Sequence, residues 1–238
     1  MRHHREIICS KPFLKNLYAE FYAIFLESIQ RNEPAKFLEI GSGPGFLKDI
    51  YPDIITSDLL PLSSVDICCS AICLPFKQNT FKGIFLLNVL HHIHQPRLFL
   101  NEACRCLKNG GELILIEPAN TLFSRFIYTH IHHEGFYPSA ENWELSADTP
   151  LSCANGALPW IIFVRDQDCF KAEFPALQLY DITVHTPLSY LLSGGLSFQQ
   201  LVPNRSYTFI RKLERLSNSI NRLAGLFMTV RLKKLHVE

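Results

Sequence analysis

The 238-residue chain is most informative first in what it lacks. No run approaches the ~20 apolar residues needed to span a bilayer, so no membrane-spanning helix is expected. Apolar stretches such as Gly83 to Leu87 are of strand length. The basic start Met1-Arg2-His3-His4-Arg5 has no apolar segment behind it, so no secretory signal is expected and the cytoplasm is the default compartment. Eight cysteines are present, but no CxxC pair, which argues against a zinc ribbon or a thioredoxin-like motif. They are expected to be reduced thiols that pack as small hydrophobes. Internal repeats and low-complexity tracts are also missing.

What is present is a globular composition, 47% apolar and 19% charged, long enough for one sizeable core. The net charge of +1 hides an asymmetry. Residues 201–238 hold 8 Lys/Arg against 2 Asp/Glu, whereas residues 1–200 hold 15 against 20. A basic C-terminal segment on an acidic body suggests an anionic partner or surface.

Apolar spacing predicts a helix over 12–30, ended by Asn32-Glu33-Pro34. Strand-like runs follow at 36–40, 54–58, 65–69, 82–87 and 112–117, with helices at 46–50 and 96–107 between them. Two more strands are expected at 177–184 and 226–233. Strands alternating with helices imply an α/β fold with a parallel sheet wound by right-handed crossovers. Seven strands result, in a single domain of 1–238. It divides into N-terminal helices (1–35), a core (36–117), a region of inserts with strand six (118–225) and a last strand (226–238). The long inserts are 118–176 and 185–225.

Glycines 41, 43 and 45 follow the first strand directly, where missing side chains let backbone amides approach a ligand. The spacing is GxGxG, with Phe46 where a dinucleotide fingerprint needs glycine, so NAD fits poorly. Asp58 ends the second strand, where a carboxylate can accept from two ribose hydroxyls.

Four segments in order carry a family resemblance. Phe37-Leu38-Glu39-Ile40-Gly41-Ser42-Gly43-Pro44-Gly45 resembles motif I of class I S-adenosylmethionine-dependent methyltransferases. Cys69-Ser70-Ala71-Ile72-Cys73-Leu74-Pro75-Phe76 resembles their adenine-side segment, and Asn88-Val89-Leu90-His91-His92 their stretch after strand four. Arg105-Cys106-Leu107-Lys108-Asn109-Gly110-Gly111 resembles their turn before strand five. The resemblance implies a Rossmann-like seven-stranded sheet with helices on both faces and an antiparallel last strand. It also implies S-adenosylmethionine as cofactor and S-adenosylhomocysteine as product. Carried over, Glu39, Gly41, Gly43 and Gly45 would surround the methionine and ribose, Asp58 would hold the ribose, and Leu59 would lie against adenine. Ser70 stands where members often have an Asp that accepts from the adenine amino group; Ala71 and Asn88 complete the cofactor set. The segments around His133-Glu134, Asn155-Gly156 and Gly194-Gly195 resemble an uncharacterised bacterial subgroup, which brings no substrate with it.

Ligands of an open parallel sheet sit beyond the carboxyl ends of its strands, so both inserts are expected over the site. The first contains His130, His132, His133 and Glu134. His133 or His132 is the expected base for an oxygen nucleophile, oriented by Glu134. His91 and His92 are expected to pack and hydrogen-bond near the cofactor, with His92 also a candidate for catalysis. Within HxHHE only His130 and Glu134 have helical i, i+4 spacing, and no metal is expected. The NPPY loop of amino-group methylators, a Pro-Cys nucleophile and the acidic triad of catechol-type enzymes are not found. A small-molecule, lipid-linked or glycan acceptor remains, and no nucleic acid. C-methylation of a quinone-like ring and a non-catalytic scaffold are the alternatives. Ile210, Leu213, Leu216, Ile220 and Leu223 fall on one face of a helix over 206–225, with Arg211, Lys212, Arg215 and Arg222 around it. That stripe is expected to pack on the domain; peripheral contact with the inner membrane face is the other reading.

Overall fold

The structure, a computed structural model, describes residues 2–29, 35–43, 45–132, 134–145, 154–216 and 218–236. Helices α1 (Arg2–Ser10) and α2 (Pro12–Glu27) lead into β1 (Phe37–Ile40), α3 (Leu47–Ile50), β2 (Ile55–Asp58) and β3 (Ile67–Cys68). Then come β4 (Phe81–Leu87), α4 (Pro96–Cys106), β5 (Leu107–Pro118) and α5 (Leu122–His130). The short α6 (Leu158–Trp160) and α7 (Gln167–Glu173) precede β6 (Leu177–His185). Finally α8 (Ser189–Leu192), α9 (Tyr207–Arg215) and α10 (Asn218–Ala224) lead to β7 (Phe227–Lys234).

The sheet runs β3-β2-β1-β4-β5-β7-β6, with β7 antiparallel to both its neighbours and the other pairings parallel. The order reverses between β1 and β4. That reversal opens a crevice at the carboxyl ends of these two strands, where an open α/β sheet takes its ligand.

Period-two alternation separates two cores. Phe37, Phe85, Ile114 and Ile116 face α2, which buries Phe21, Tyr22 and Phe25 against them. Leu38, Ile84, Leu86, Leu113 and Leu115 face the opposite way, against Phe99, Leu100 and Ala103 of α4 and against Leu158 and Ile161. Helices therefore cover both faces of the sheet, and β1, β4 and β5 read as continuous apolar runs because each is buried twice over.

Strand β3 is only two residues long, shorter than the apolar run at 65–69 suggests. Residues 108–111, expected as a turn, form a register shift inside β5, between the pairings Phe81↔Leu107 and Gly83↔Glu112. The seven described cysteines are free; Cys153 lies outside the described residues. Among the described residues no helix is long and apolar enough to cross a membrane.

The C-terminal stripe differs from expectation. The segment forms two helices rather than one, and Leu213 of α9, Leu216 just past its end, and Ile220 and Leu223 of α10 are 52%, 73%, 54% and 61% exposed, with Phe209 of α9 at 65%. The cause is polar. Glu214, buried, accepts hydrogen bonds from the Leu188 and Ser189 amides at 2.7 Å each and from the Ser189 hydroxyl. Arg211 joins Glu214 to Glu20 of α2, with 2.6 Å to the latter. Seating this ion-pair face against α2 and α8 turns the apolar face outward.

Candidate active site

A cavity of about 640 Å³ lies at the carboxyl ends of β1, β2 and β4. One wall is the glycine loop. Gly41 has φ +66°, and a Cβ there would meet Val89 Cγ2 at 2.5 Å, so close approach of two loops requires glycine twice over. The Gly43 amide donates to Asp58 Oδ2 at 2.9 Å, and the Leu60 amide donates to Oδ1 at 2.9 Å. Asp58 thus ties the loop after β1 to the end of β2. Tyr22 of α2 reaches under the loop, where its Oη accepts from the Phe46 amide at 3.3 Å.

Glu39, at the end of β1, is buried, and burial lifts its carboxyl to about 8, with the Ser42 hydroxyl opposing and Asp58 adding to the rise. It is mostly protonated at neutral pH. Leu59, Ser70, Ala71 and Asn88 line the same cavity. Asn88 has φ +56°, and its buried Oδ1 has no hydrogen-bond partner, an acceptor aimed at nothing the described residues supply. All nine residues expected around the cofactor are brought to this one cavity.

The opposite wall is built on Glu117, a fully buried carboxylate at the end of β5. Its Oε1 accepts from the amides of Val89 and Leu90, at 2.9 and 2.7 Å, and so fixes the turn after β4. Its Oε2 lies 2.6 Å from His91 Nδ1. The other ring nitrogen of His91 lies 3.4 Å from Glu134 Oε2. Burial disfavours the imidazolium, but Glu117 and Glu134 outweigh it and hold His91 at about 9. His92, in contrast, is pushed down to about 4 by burial and by its neighbour His91, so it is neutral near pH 7. Burial also opposes ionisation of Glu134, yet His91, His92 and His132 together pull it down to about 2.

Glu134 reaches this wall from the first insert. The capping box of Thr121 and Ser124 starts α5, which ends at His130 and delivers His132 and Glu134 beyond it. Asn155 then staples the insert to the turn: its amide donates to the His91 carbonyl at 3.0 Å, and its Oδ1 accepts from Tyr137 at 2.8 Å and Ala157 at 3.1 Å. Glu134 lies 3.6 Å from His92 Nε2 and 3.9 Å from His132 Nδ1, and its own amide donates to that nitrogen at 3.3 Å. Of the expected catalytic residues, His92, His132 and Glu134 are brought together here, whereas His133 lies outside the described residues. His130 stands apart, stacked on Phe126 at 4.9 Å.

Sequence reasoning missed Glu117, Asn155 and the wall residues Tyr18, Tyr22 and Tyr190. For Glu117 a signal existed: a carboxylate closing the apolar run Leu113-Ile114-Leu115-Ile116, at the strand end where ligands sit.

Residues 38–115 match the family described as a methyltransferase domain. Over 113 residues the chain is 34% identical to an uncharacterized protein of Methanocaldococcus jannaschii, covering 44% of this chain and 50% of that one. The chain thus spans about half the length of the curated relative it matches. The fold is similar to geranyl diphosphate C-methyltransferase of Streptomyces coelicolor, solved with Mg2+, geranyl diphosphate and S-adenosylhomocysteine. The TM-score is 0.59 at 12% identity, over 99% of this chain and 84% of that chain. It is also similar to a SAM-dependent methyltransferase of Archaeoglobus fulgidus, with TM-score 0.56 at 13% identity, over 92% and 94%. Residues 38–115 thus match a methyltransferase domain, and the fold of the chain is that of Rossmann-like methyltransferases.

Proposed function

We propose that this chain transfers a methyl group from S-adenosylmethionine to an oxygen of a small, lipid-like acceptor, with His132 as the general base. The observation that carries the reading is one cavity walled on one side by the glycine loop and Asp58 and on the other by a histidine–glutamate cluster. The cofactor fits the first wall. Asn88 Oδ1 is a buried acceptor awaiting a donor, and Gly41 lets the loop after β1 pack directly against Val89 at the cavity wall. Glu39, Gly41, Gly43 and Gly45 would hold its methionine end, Asp58 its ribose, and Leu59, Ser70 and Ala71 its adenine. When bound, the cofactor supplies a methyl group made electrophilic by an adjacent sulfonium.

The chain's own part is to place the acceptor oxygen and take its proton. His91 is a poor base on geometry alone, because a carboxylate faces each of its ring nitrogens. His132 is better placed. Its ring packs edge-on against Tyr128 at 5.6 Å, and the Glu134 carboxylate lies ready to pair with the imidazolium that proton uptake creates. Replacing His132 with Asn is expected to cut turnover about 100-fold or more, the usual worth of a positioned base. Calorimetric binding of S-adenosylhomocysteine should stay within about twofold, with NAD as a silent control. Unchanged turnover would remove His132 from the mechanism. Wild-type protein that fails to bind S-adenosylhomocysteine would leave the fold as a scaffold.

The lipid-like character of the acceptor rests on the outward apolar face of α9 and α10, flanked by exposed Lys212, Arg215 and Arg222. Apolar side chains with basic neighbours suit a surface of anionic lipid, where such an acceptor resides. Co-sedimentation with phosphatidylglycerol vesicles is expected, weakened by salt and lost in a Leu213→Asp, Leu216→Asp variant. Equal binding to neutral phosphatidylcholine vesicles, or none to either, would end the membrane reading.

A further inference from the structure

The fold brings three potential metal ligands together from two segments more than 40 positions apart in the sequence. His91 Nε2, His92 Nε2 and a Glu134 carboxylate oxygen all lie within 4.8 Å of one another. His91 Nε2 lies 3.4 Å from Glu134 Oε2, and His92 Nε2 lies 3.6 Å from the other oxygen, Oε1. A tetrahedral ion with bonds of about 2.0–2.1 Å spaces its ligands roughly 3.3 Å apart. Each histidine therefore already faces one carboxylate oxygen at close to that spacing. Bringing both onto one ion takes a rotation of His92, whose side chain is 38% exposed.

A chance ion pair would need nothing more, but this cluster has a supporting shell. Glu117 holds His91 through Nδ1 at 2.6 Å, so the ring is fixed with Nε2 facing Glu134. A ligating histidine whose other nitrogen donates to a buried carboxylate is the usual way a protein sets tautomer and ring angle at a metal. The same Glu117 pins the backbone that carries both histidines. Asn155 and the Gly156–Gly135 hydrogen bond at 2.8 Å tie the Glu134 segment to that turn. Charge points the same way: two carboxylates flank His91, and a divalent cation on its far nitrogen neutralises both. Sequence spacing argued against a metal because HxHHE is not a helical pair. It is the turn after β4, not HxHHE, that supplies the two histidines.

We propose that His91, His92 and Glu134 form a divalent transition-metal site at the acceptor end of the cavity, with zinc the first ion to test. Two histidines and one carboxylate, with remaining positions open to the cavity, are a donor set for a catalytic rather than a structural ion. Its role there rests on the methyl-transfer reading above; the binding of metal does not. The acceptor's hydroxyl oxygen coordinates the ion, which lowers its proton affinity. The proton passes to His132. The oxygen then forms its bond to the methyl carbon as the carbon–sulfur bond breaks, and that electron pair stays on sulfur. On this assignment His92 is a ligand and His132 the base.

The test uses full-length protein purified without a histidine tag, stripped with chelator and titrated with Zn2+ alone. One equivalent is expected to bind by calorimetry and by elemental analysis after desalting. His92→Ala and Glu134→Gln should each weaken it by about 100-fold. Glu117→Gln, which touches no metal, should weaken it by about 10–100-fold. Circular dichroism of each variant separates loss of the site from loss of the fold. Substoichiometric zinc in the wild type would overturn the proposal. So would full binding in both ligand variants, which would place the ion elsewhere on the chain. Titration with S-adenosylhomocysteine reports the other reading separately: zinc without it leaves a metal site in a non-catalytic chain, and the reverse leaves a metal-free methyltransferase.

Discussion

Replacing Glu117 with alanine is expected to destabilise the protein by about 3–5 kcal/mol, the usual cost of leaving one member of a buried ion pair alone. Four groups depend on this side chain for a partner or a position. The amides of Val89 and Leu90 lose their acceptor, His91 loses the carboxylate 2.6 Å away, and the turn that carries His92 loses its anchor. None of these can turn to water, because Glu117 is fully buried and His91 is 2% exposed. For a chain of this length the melting temperature should fall roughly 6–20 °C. Glu117→Gln keeps an acceptor for the two amides and loses only the charge, so about half that loss is expected. A thermal melt by circular dichroism checks both. An alanine variant within about 2 °C of wild type would mean that the turn is held by other contacts.

That prediction also shows where sequence reading stopped. The glycine-loop wall of the cavity was legible because all its parts are local: a glycine loop directly after β1, an acid at the end of β2, and short motifs at fixed distances along the chain. The presence of the strands followed too, since β1, β4 and β5 are apolar runs of the right length with helices between them. The opposite wall joins residues 91, 117, 134 and 155, which no periodicity links. Glu117 reads in sequence as the polar end of a strand. Only the pairing of β4 with β5, Leu87 opposite Ile116, brings it beneath the turn at 88–92. Asn155 looked like the loop residue before a glycine, and its role exists only because the first insert folds back to residue 91.

The C-terminal helices went astray for a different reason. A stripe of Leu213, Leu216, Ile220 and Leu223 is ordinarily the buried face of an amphipathic helix. Here the competition was settled by Glu214 and Arg211. Together they cap the start of α8 and pair with Glu20, leaving the leucines outside. Exposed apolar side chains in this number need an occupant, and the interspersed basic residues restrict which one.

The largest loss in cofactor binding is expected from Asp58→Ala. In the free protein both oxygens of this carboxylate are already engaged, one by the Gly43 amide and one by the Leu60 amide. A carboxylate oxygen has a second lone pair, so each can also accept from a ribose hydroxyl. Asp58 sets the path of the glycine loop, and on the proposed reading it would also bind what the loop encloses. Alanine removes the ribose contacts, worth about 1.5–3 kcal/mol each for hydrogen bonds to a charged group. It also releases the loop, so affinity for S-adenosylhomocysteine should drop by about 100-fold or more. Asp58→Asn separates the two roles, because a neutral amide keeps one accepting oxygen but presents donors toward the loop amide. An intermediate loss is expected for it by calorimetry. Unchanged binding in Asp58→Ala would place the ribose elsewhere in the cavity and leave Asp58 as a purely structural tie between β1 and β2.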